Sequence, residues 1–276
     1  MPKYFTQTQI DAFQERGYSD PIRFMSPAEM RTFRDLMEAF ERDHPEEQGK
    51  LVQNPHLLFR WLDGLVRHPV LLDGLEDLVG PDILCTVSAF RRKNPGEGTY
   101  AGWHQDAFYL RYDPYFLTCF VAFTDQTVEN GCLYVIPGSH RGPILPHEET
   151  EDDRSLLTRS QRITAPIDVA KAVPLEIKAG EAFCFSHMTV HSSPANNSKD
   201  RRISLLLDIL PGNARRKGSR DTATLLRGTD RYGNFEILPT PKDDFGPDAR
   251  RLHRHACEIR DRESYKGSAR RPPALA

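Results

Sequence analysis

The residues best suited to chemistry are in Trp103-His104-Gln105-Asp106, where an imidazole and a carboxylate stand two positions apart, just after the loop Asn94-Pro95-Gly96-Glu97-Gly98. Alternate side chains of an extended strand leave on one face, so His104 and Asp106 can converge on one metal ion. Alone, such a triplet marks an exposed strand or turn as readily as a metal site. A second stretch, Val190-His191-Ser192-Ser193, supplies a distant imidazole at the end of an apolar, strand-like run. His187 lies in the same run, FCFSHMTVHSS, four residues earlier and so on the same strand face. His191 is the preferred ligand because it opens onto the polar turn Ser192-Ser193-Pro194-Ala195, whereas His187 reads as a core or supporting histidine. Two histidines and one carboxylate, with positions left open, form the ligand set of non-haem iron(II) oxygenases.

Arg202 follows His191 by eleven residues and opens the strand RISLLLDIL. Ile203, Leu205, Leu207 and Ile209 share one face of it, which leaves Arg202, Ser204 and Asp208 on the other. If helices cover the apolar face, Arg202 points inward, where a guanidinium can grip a dicarboxylate through two parallel hydrogen bonds. Arg201 is expected to remain a solvated charge.

The elements that must position these groups fall into two regions. Before residue 80 the pattern is helical: TQTQIDAFQER ends at Gly17, Ser26-Pro27-Ala28-Glu29 is a capping box leading a helix through Phe40, and the Leu-rich segments 55–67 and 69–79 start with prolines. From Asp82 onward, short β-branched and aromatic runs alternate with Gly, Pro, Asn and Asp, predicting strands near 82–91, 103–109, 116–124, 132–136, 173–178, 181–187 and 202–210. The fold class expected is mainly β with helical additions, a jelly roll supported by N-terminal helices. We read one domain over 1–276: helical support in 1–80, a jelly-roll core in 81–212 with a lid-like insertion near 141–172, and a polar, Arg-rich extension in 213–276 that folds over the core or frays.

Composition narrows the partners. The 276 residues carry a formal charge of −2, so no nucleic acid or acidic membrane surface is expected as a partner. The N-terminus has no cationic segment leading into an apolar one, and no window approaches eighteen apolar residues, which predicts a cytoplasmic protein. The five cysteines are odd in number and scattered, without zinc spacing or a disulfide framework, as expected in a reducing compartment. Oligomeric state is open.

Taken together, WHQD at 103–106, ENGCLYVIPGSHRG at 129–142, AGEAFCF at 179–185 and HSSPANNSKDRR at 191–202 resemble the phytanoyl-CoA dioxygenase-like iron(II)/2-oxoglutarate oxygenases. The resemblance covers roughly residues 80–210, with weaker similarity in TQIDAFQERGY and RGTDRYGNFEILP. It implies a double-stranded β-helix, His104, Asp106 and His191 as Fe(2+) ligands, and Arg202 with Ser193 on the distal carboxylate of 2-oxoglutarate. It further implies Asn94 and Thr118 as polar residues lining the co-substrate, O2 as the other co-substrate, and ascorbate as a stimulant.

The activity implied is hydroxylation of an unactivated carbon of a small organic metabolite, with 2-oxoglutarate and O2 converted to succinate and CO2. Related halogenases carry a small residue at the carboxylate position, so Asp106 favours hydroxylation over halogenation. Desaturation, cyclisation or epoxidation in natural-product biosynthesis are the other oxidative outcomes. A non-catalytic ligand-binding jelly roll is the rival class, and a cupin-like isomerase or hydrolase would keep the ligands without needing Arg202. Tyr100, Trp103, Phe108 and Tyr109 are the candidates for the wall of a substrate cleft.

Overall fold

A computed structural model describes residues 1–108, 112–114, 117–217 and 220–265 of the chain. Helix α1 (Gln7–Arg16) begins at a capping box between Thr6 and Gln9 and stops at Gly17, whose φ of 85° suits glycine. Helix α2 (Pro27–Asp43) begins at the same device, built from Ser26 and Glu29. The single helix expected over 55–67 is instead a 3₁₀ turn at Pro55–Leu57 followed by α3 (Arg60–Val66). The break has a tertiary cause: Asn54 N donates to Ser88 O at 2.7 Å, and His56 Nδ1 meets Ser88 Oγ at 2.7 Å, which ties this segment to a strand. Helix α4 (Pro69–Val79) follows as expected.

The strands, in chain order, are β1 (Ile22–Arg23), β2 (Ile83–Lys93), β3 (Ala101–His104), β4 (Tyr112–Asp113), β5 (Leu117–Ala122), β6 (Leu133–Val135), β7 (His147–Glu148), β8 (Arg162–Ile163), β9 (Val173–Leu175), β10 (Glu181–Ser186), β11 (His191–Ser193), β12 (Arg202–Pro211), β13 (Arg215–Arg216), β14 (Asp221–Arg227) and β15 (Phe235–Ile237). A major sheet runs β1-β10-β5-β12-β2-β14-β15 and a minor sheet runs β3-β11-β6-β9. Among the described residues the two sheets share no strand, so the jelly roll is a pair of facing sheets rather than a closed barrel.

Side-chain alternation assigns the two faces of the major sheet. Cys119, Val121, Cys184, Ile203, Leu205 and Leu207 pack outward against Met30, Met37, Leu62 and Leu71 of the helices. Phe120, Ala122, Phe183 and Phe185 face inward onto Leu133 and Val135 of the minor sheet. An apolar run alternating with Arg202, Ser204 and Asp208 is therefore buried on both sides, under helices on one and over the site on the other. No described helix is long and apolar enough to cross a membrane.

One expectation needs correction here. The strand expected over 103–109 ends at His104, and Asp106–Phe108 form a 3₁₀ turn; Gln105 Nε2 donates to Met188 O at 2.7 Å, Gln105 Oε1 accepts from Leu145 N at 2.8 Å, and Ala107 N donates to His187 O at 3.0 Å, which pulls the chain out of the sheet. Among the described residues after 212, β14 joins the major sheet beside β2 and α5 (Pro247–Ser264) packs on it, the fold-over arrangement of the two expected. The helix buries Ala249, Leu252, His253, Ala256 and Cys257, a stripe at helical spacing hidden among arginines.

Buried histidines tie these additions to the core and make stability fall with acid. His56 is enclosed between Ser88 Oγ and Thr224 Oγ1, and His253 of α5 meets Gln53 O at 2.7 Å. Burial pushes His56 down to about 3 and His253 down to about 4. Above the ordinary histidine value near 6.5 neither state binds these protons. As pH falls below it, the unfolded chain takes up protons that the native state refuses, so each histidine removes up to about 1.4 kcal/mol per pH unit. The melting midpoint is expected to drop clearly from pH 7 to pH 5, and His253→Gln to flatten that dependence. A midpoint unchanged over this range would contradict the account.

Candidate metal and co-substrate site

Three donor groups converge where the two sheets approach. His104 ends β3 and His191 opens β11, and the two are register partners across the minor sheet. Their rings lie 4.0 Å apart between centroids. Asp106 returns to them from the 3₁₀ turn, with Oδ1 at 3.4 Å from His104 Nε2 and 3.8 Å from His191 Nε2. All three residues are buried, and their ligand atoms lie within 4.8 Å of one another.

The surroundings preset these donors. His104 Nδ1 is 2.7 Å from Gly102 O and His191 Nδ1 is 2.9 Å from Thr189 O. A carbonyl only accepts, so each Nδ1 carries the proton and each Nε2 aims a lone pair at the shared centre. Burial pushes His191 down to about 3, which keeps its imidazole neutral. Asp106, buried beside the two imidazoles, supplies the anionic donor. Two lone pairs and an anion directed at one point repel unless a cation sits among them, so the donor set fits a divalent metal.

His187 lies outside the triad. The chain turns between β10 and β11, with Thr189 N donating to Ser186 O, and the two strands lie in different sheets. His187 and His191 therefore do not share one strand face, as the spacing had suggested. His187 Nε2 sits 3.6 Å from Asp208 Oδ1 in the core.

Arg202 enters the same cavity from β12, with its side chain almost fully buried. Nη1 donates to Gln126 Oε1 at 3.2 Å, the guanidinium lies 5.6 Å from the Phe120 ring centre, and Nε has no hydrogen-bond partner among the described residues. Burial pulls its value down to about 10, so the group remains cationic. A desolvated cation with unused donors fits a ligand carboxylate. Arg201, by contrast, bonds Glu41 and Glu38 on the outer side of the sheet.

The remaining candidates divide. Ser193 lines the cavity, and its hydroxyl donates to Gly131 O at 2.9 Å. Thr118 is buried, and its hydroxyl donates to Asp106 Oδ2 at 3.1 Å, which steadies the carboxylate. Thr118→Val is expected to weaken metal binding by roughly 10–100-fold, measured by metal titration, while leaving the melting midpoint close to wild type. Asn94 bonds Glu97 and Arg201 and lines a surface cleft that does not include the triad residues.

Of the expected cleft wall, Tyr100 donates to Asp152 Oδ2 at 2.8 Å, Phe108 stacks on His147, and Trp103 is half-buried; none of the three lines the cavities beside the triad. Tyr109 lies outside the described residues. The walls come instead from Phe120, Leu133, Phe185 and Leu206, and from Leu156 to Thr158 of the long insertion.

Lys93 was not anticipated. It ends β2, is fully buried, and donates to Ser193 O at 2.9 Å, to Ser193 Oγ and to Pro194 O. Burial, reinforced by the charge of Arg202, pulls it down to about 6. The signal was present in Arg91-Arg92-Lys93, since alternation after Phe90 on the outer face sends Arg91 and Lys93 inward. Gly131 belongs to the same cluster, with φ of 77°, and a Cβ there would collide with the carbonyls of Pro194 and Ala195.

Residues 13–204 match the phytanoyl-CoA dioxygenase (PhyH) family. A probable alpha-ketoglutarate-dependent hypophosphite dioxygenase from Stutzerimonas stutzeri is 32% identical over 204 residues, covering 72% of this chain and 68% of that protein. A methylphosphonate hydroxylase from Gimesia maris is 27% identical over 216 residues, covering 73% and 79%. The solved structure of the non-heme monooxygenase ThoJ in its apo form superposes with a TM-score of 0.84 at 27% identity, covering 94% of this chain and 98% of ThoJ. Sequence and fold thus agree across most of the chain, which belongs to the phytanoyl-CoA dioxygenase family and is an iron(II)/2-oxoglutarate-dependent dioxygenase.

Proposed function

We propose that His104, Asp106 and His191 hold iron(II), that Arg202 and Ser193 hold the distal carboxylate of 2-oxoglutarate, and that the enzyme hydroxylates a carbon of a small organic metabolite. One observation carries the reading: a preset two-histidine, one-carboxylate site and a buried guanidinium with unused donors line the same cavity. Bound iron(II), with 2-oxoglutarate and dioxygen, supplies an oxidant for an unactivated carbon and leaves succinate and carbon dioxide.

The chain's own residues supply position and dryness. Gln126 is itself held by the carbonyls of Thr124 and Ile203, so its Oε1 fixes the angle at which Arg202 presents its N–H fork. Lys93 clamps Ser193 and Pro194, which holds the loop after His191 against β2. Phe120, Leu133, Phe185 and Leu206 exclude water from the reacting position. The carboxylate of Asp106 favours hydroxylation over halogenation. Five buried, unbridged thiols support a reducing, cytoplasmic setting.

The test is oxygen consumption and succinate formation by purified protein given iron(II), 2-oxoglutarate and ascorbate. Slow succinate release without added substrate, rising when the right metabolite is present, is expected. Iron-loaded protein that neither binds 2-oxoglutarate under nitrogen nor forms succinate would rule the reading out.

A further inference from the structure

Beside the small cavity at the triad, about 60 Å³, lies a larger one of about 360 Å³. Arg91, Leu156, Leu157 and Thr158 line both, so the two adjoin, with the triad lining the smaller one. The larger chamber lies over the inner side of β2, roofed by the insertion and closed by α5. Its size suits a small metabolite.

Its lining is chemically uneven. Val87, Ala89, Leu156 and Leu157 are apolar, while Arg91, Arg159 and Arg260 bring guanidinium groups from a strand, the insertion and α5. Two of these guanidinium groups have acidic partners outside the lining: Glu149 meets Arg159 at 3.2 Å, and Asp208 is 3.8 Å from Arg260. Asp261 also lines the chamber, but it accepts from Gln53 Nε2 at 3.2 Å, and burial pushes its carboxyl up. Arg92 also borders the chamber, but its guanidinium is bound to Glu41. Each guanidinium has five N–H donors, so one can keep its protein partner and still meet a ligand oxyanion.

We propose that this chamber selects a small organic oxyanion, a carboxylate or a phosphonate, whose apolar body lies along Val87, Ala89 and Leu157 and whose charged end is held by Arg91, Arg159 and Arg260. The inference rests on the iron(II)/2-oxoglutarate reading, because it assigns the reacting carbon to the end of the chamber nearest the triad. It also assigns a role to α5, whose Arg260 makes the C-terminal helix part of the specificity wall. Arg202 is reserved for 2-oxoglutarate, so substrate and co-substrate are recognised by different arginines of two adjoining cavities.

The test is calorimetric binding under nitrogen to protein loaded with iron(II) and saturated with 2-oxoglutarate. The probes are butyrate and propylphosphonate, with butyramide as the uncharged match. At least one anion is expected to bind ten-fold or more tightly than butyramide, with affinity falling as salt is raised. Arg91→Gln, Arg159→Gln and Arg260→Gln are each expected to weaken that anion at least five-fold, and the stronger of the two anions identifies the headgroup. Butyramide binding as well as the acids, neither acid binding, or all three variants staying within two-fold of wild type would overturn the proposal. Binding of 2-oxoglutarate itself is measured in every sample. Its loss in the wild-type protein would defeat the underlying reading, whereas its retention with no anion binding defeats this inference alone.

Discussion

Asp106→Ala is expected to abolish detectable succinate formation and to weaken metal binding by more than the roughly 10–100-fold cost of losing a residue that merely supports a ligand. The carboxylate is the one anionic donor among three buried groups, with Oδ1 at 3.4 Å from one Nε2 and 3.8 Å from the other. Removing it leaves two neutral imidazoles facing a dehydrated cation. The fold should survive, because His104 and His191 are anchored by backbone carbonyls and Gln105 still pins the turn. Metal titration under nitrogen, paired with thermal melting, separates ligand loss from unfolding. Unchanged metal affinity in a folded variant would remove Asp106 from the ligand set.

Arg202→Met carries the second large effect and moves two quantities in opposite directions. Truncating one member of a buried charge pair costs about 2–5 kcal/mol, so 2-oxoglutarate is expected to bind roughly 30- to 5000-fold more weakly. Metal affinity is expected to stay near wild type, since Arg202 is not among the converging donors. The ligand-free protein should become no less stable and is expected to gain stability. There the guanidinium is desolvated with, among the described residues, a single side-chain bond, to Gln126, and an apolar chain of similar length removes that cost. Calorimetric titration of 2-oxoglutarate and melting of the ligand-free protein check both. A variant that binds 2-oxoglutarate normally would refute the assigned role.

The two predictions differ in how far the sequence supported them. Arg202 was legible because strict alternation in RISLLLDIL forces a choice of face, and the capped helices before residue 80 needed an apolar sheet to cover. Asp106 was legible as a residue type and spacing, but its route to the metal was not. The strand ends at His104, and long-range bonds from Gln105 and Ala107 form the turn that brings the carboxylate back. The wall residues went wrong for a related reason. Aromatic side chains near a motif were expected to line the cleft, yet Tyr100 and Phe108 are engaged with Asp152 and His147 of the insertion.

What the sequence determined by itself was local: the capping boxes at Thr6 and Ser26, the period-two pattern of the strands, the donor types at 104, 106, 191 and 202, and the order in which they occur. These follow from interactions between residues a few positions apart, which composition and spacing expose directly. The tertiary structure alone decided that β10 and β11 belong to different sheets, that Lys93 clamps Ser193 across 100 residues of chain, and that α5 walls the larger chamber. Those facts depend on which distant surfaces bury one another. An Arg-rich helix with a narrow apolar stripe, or a lysine at a strand's end, shows its partner only once the sheets have closed around it.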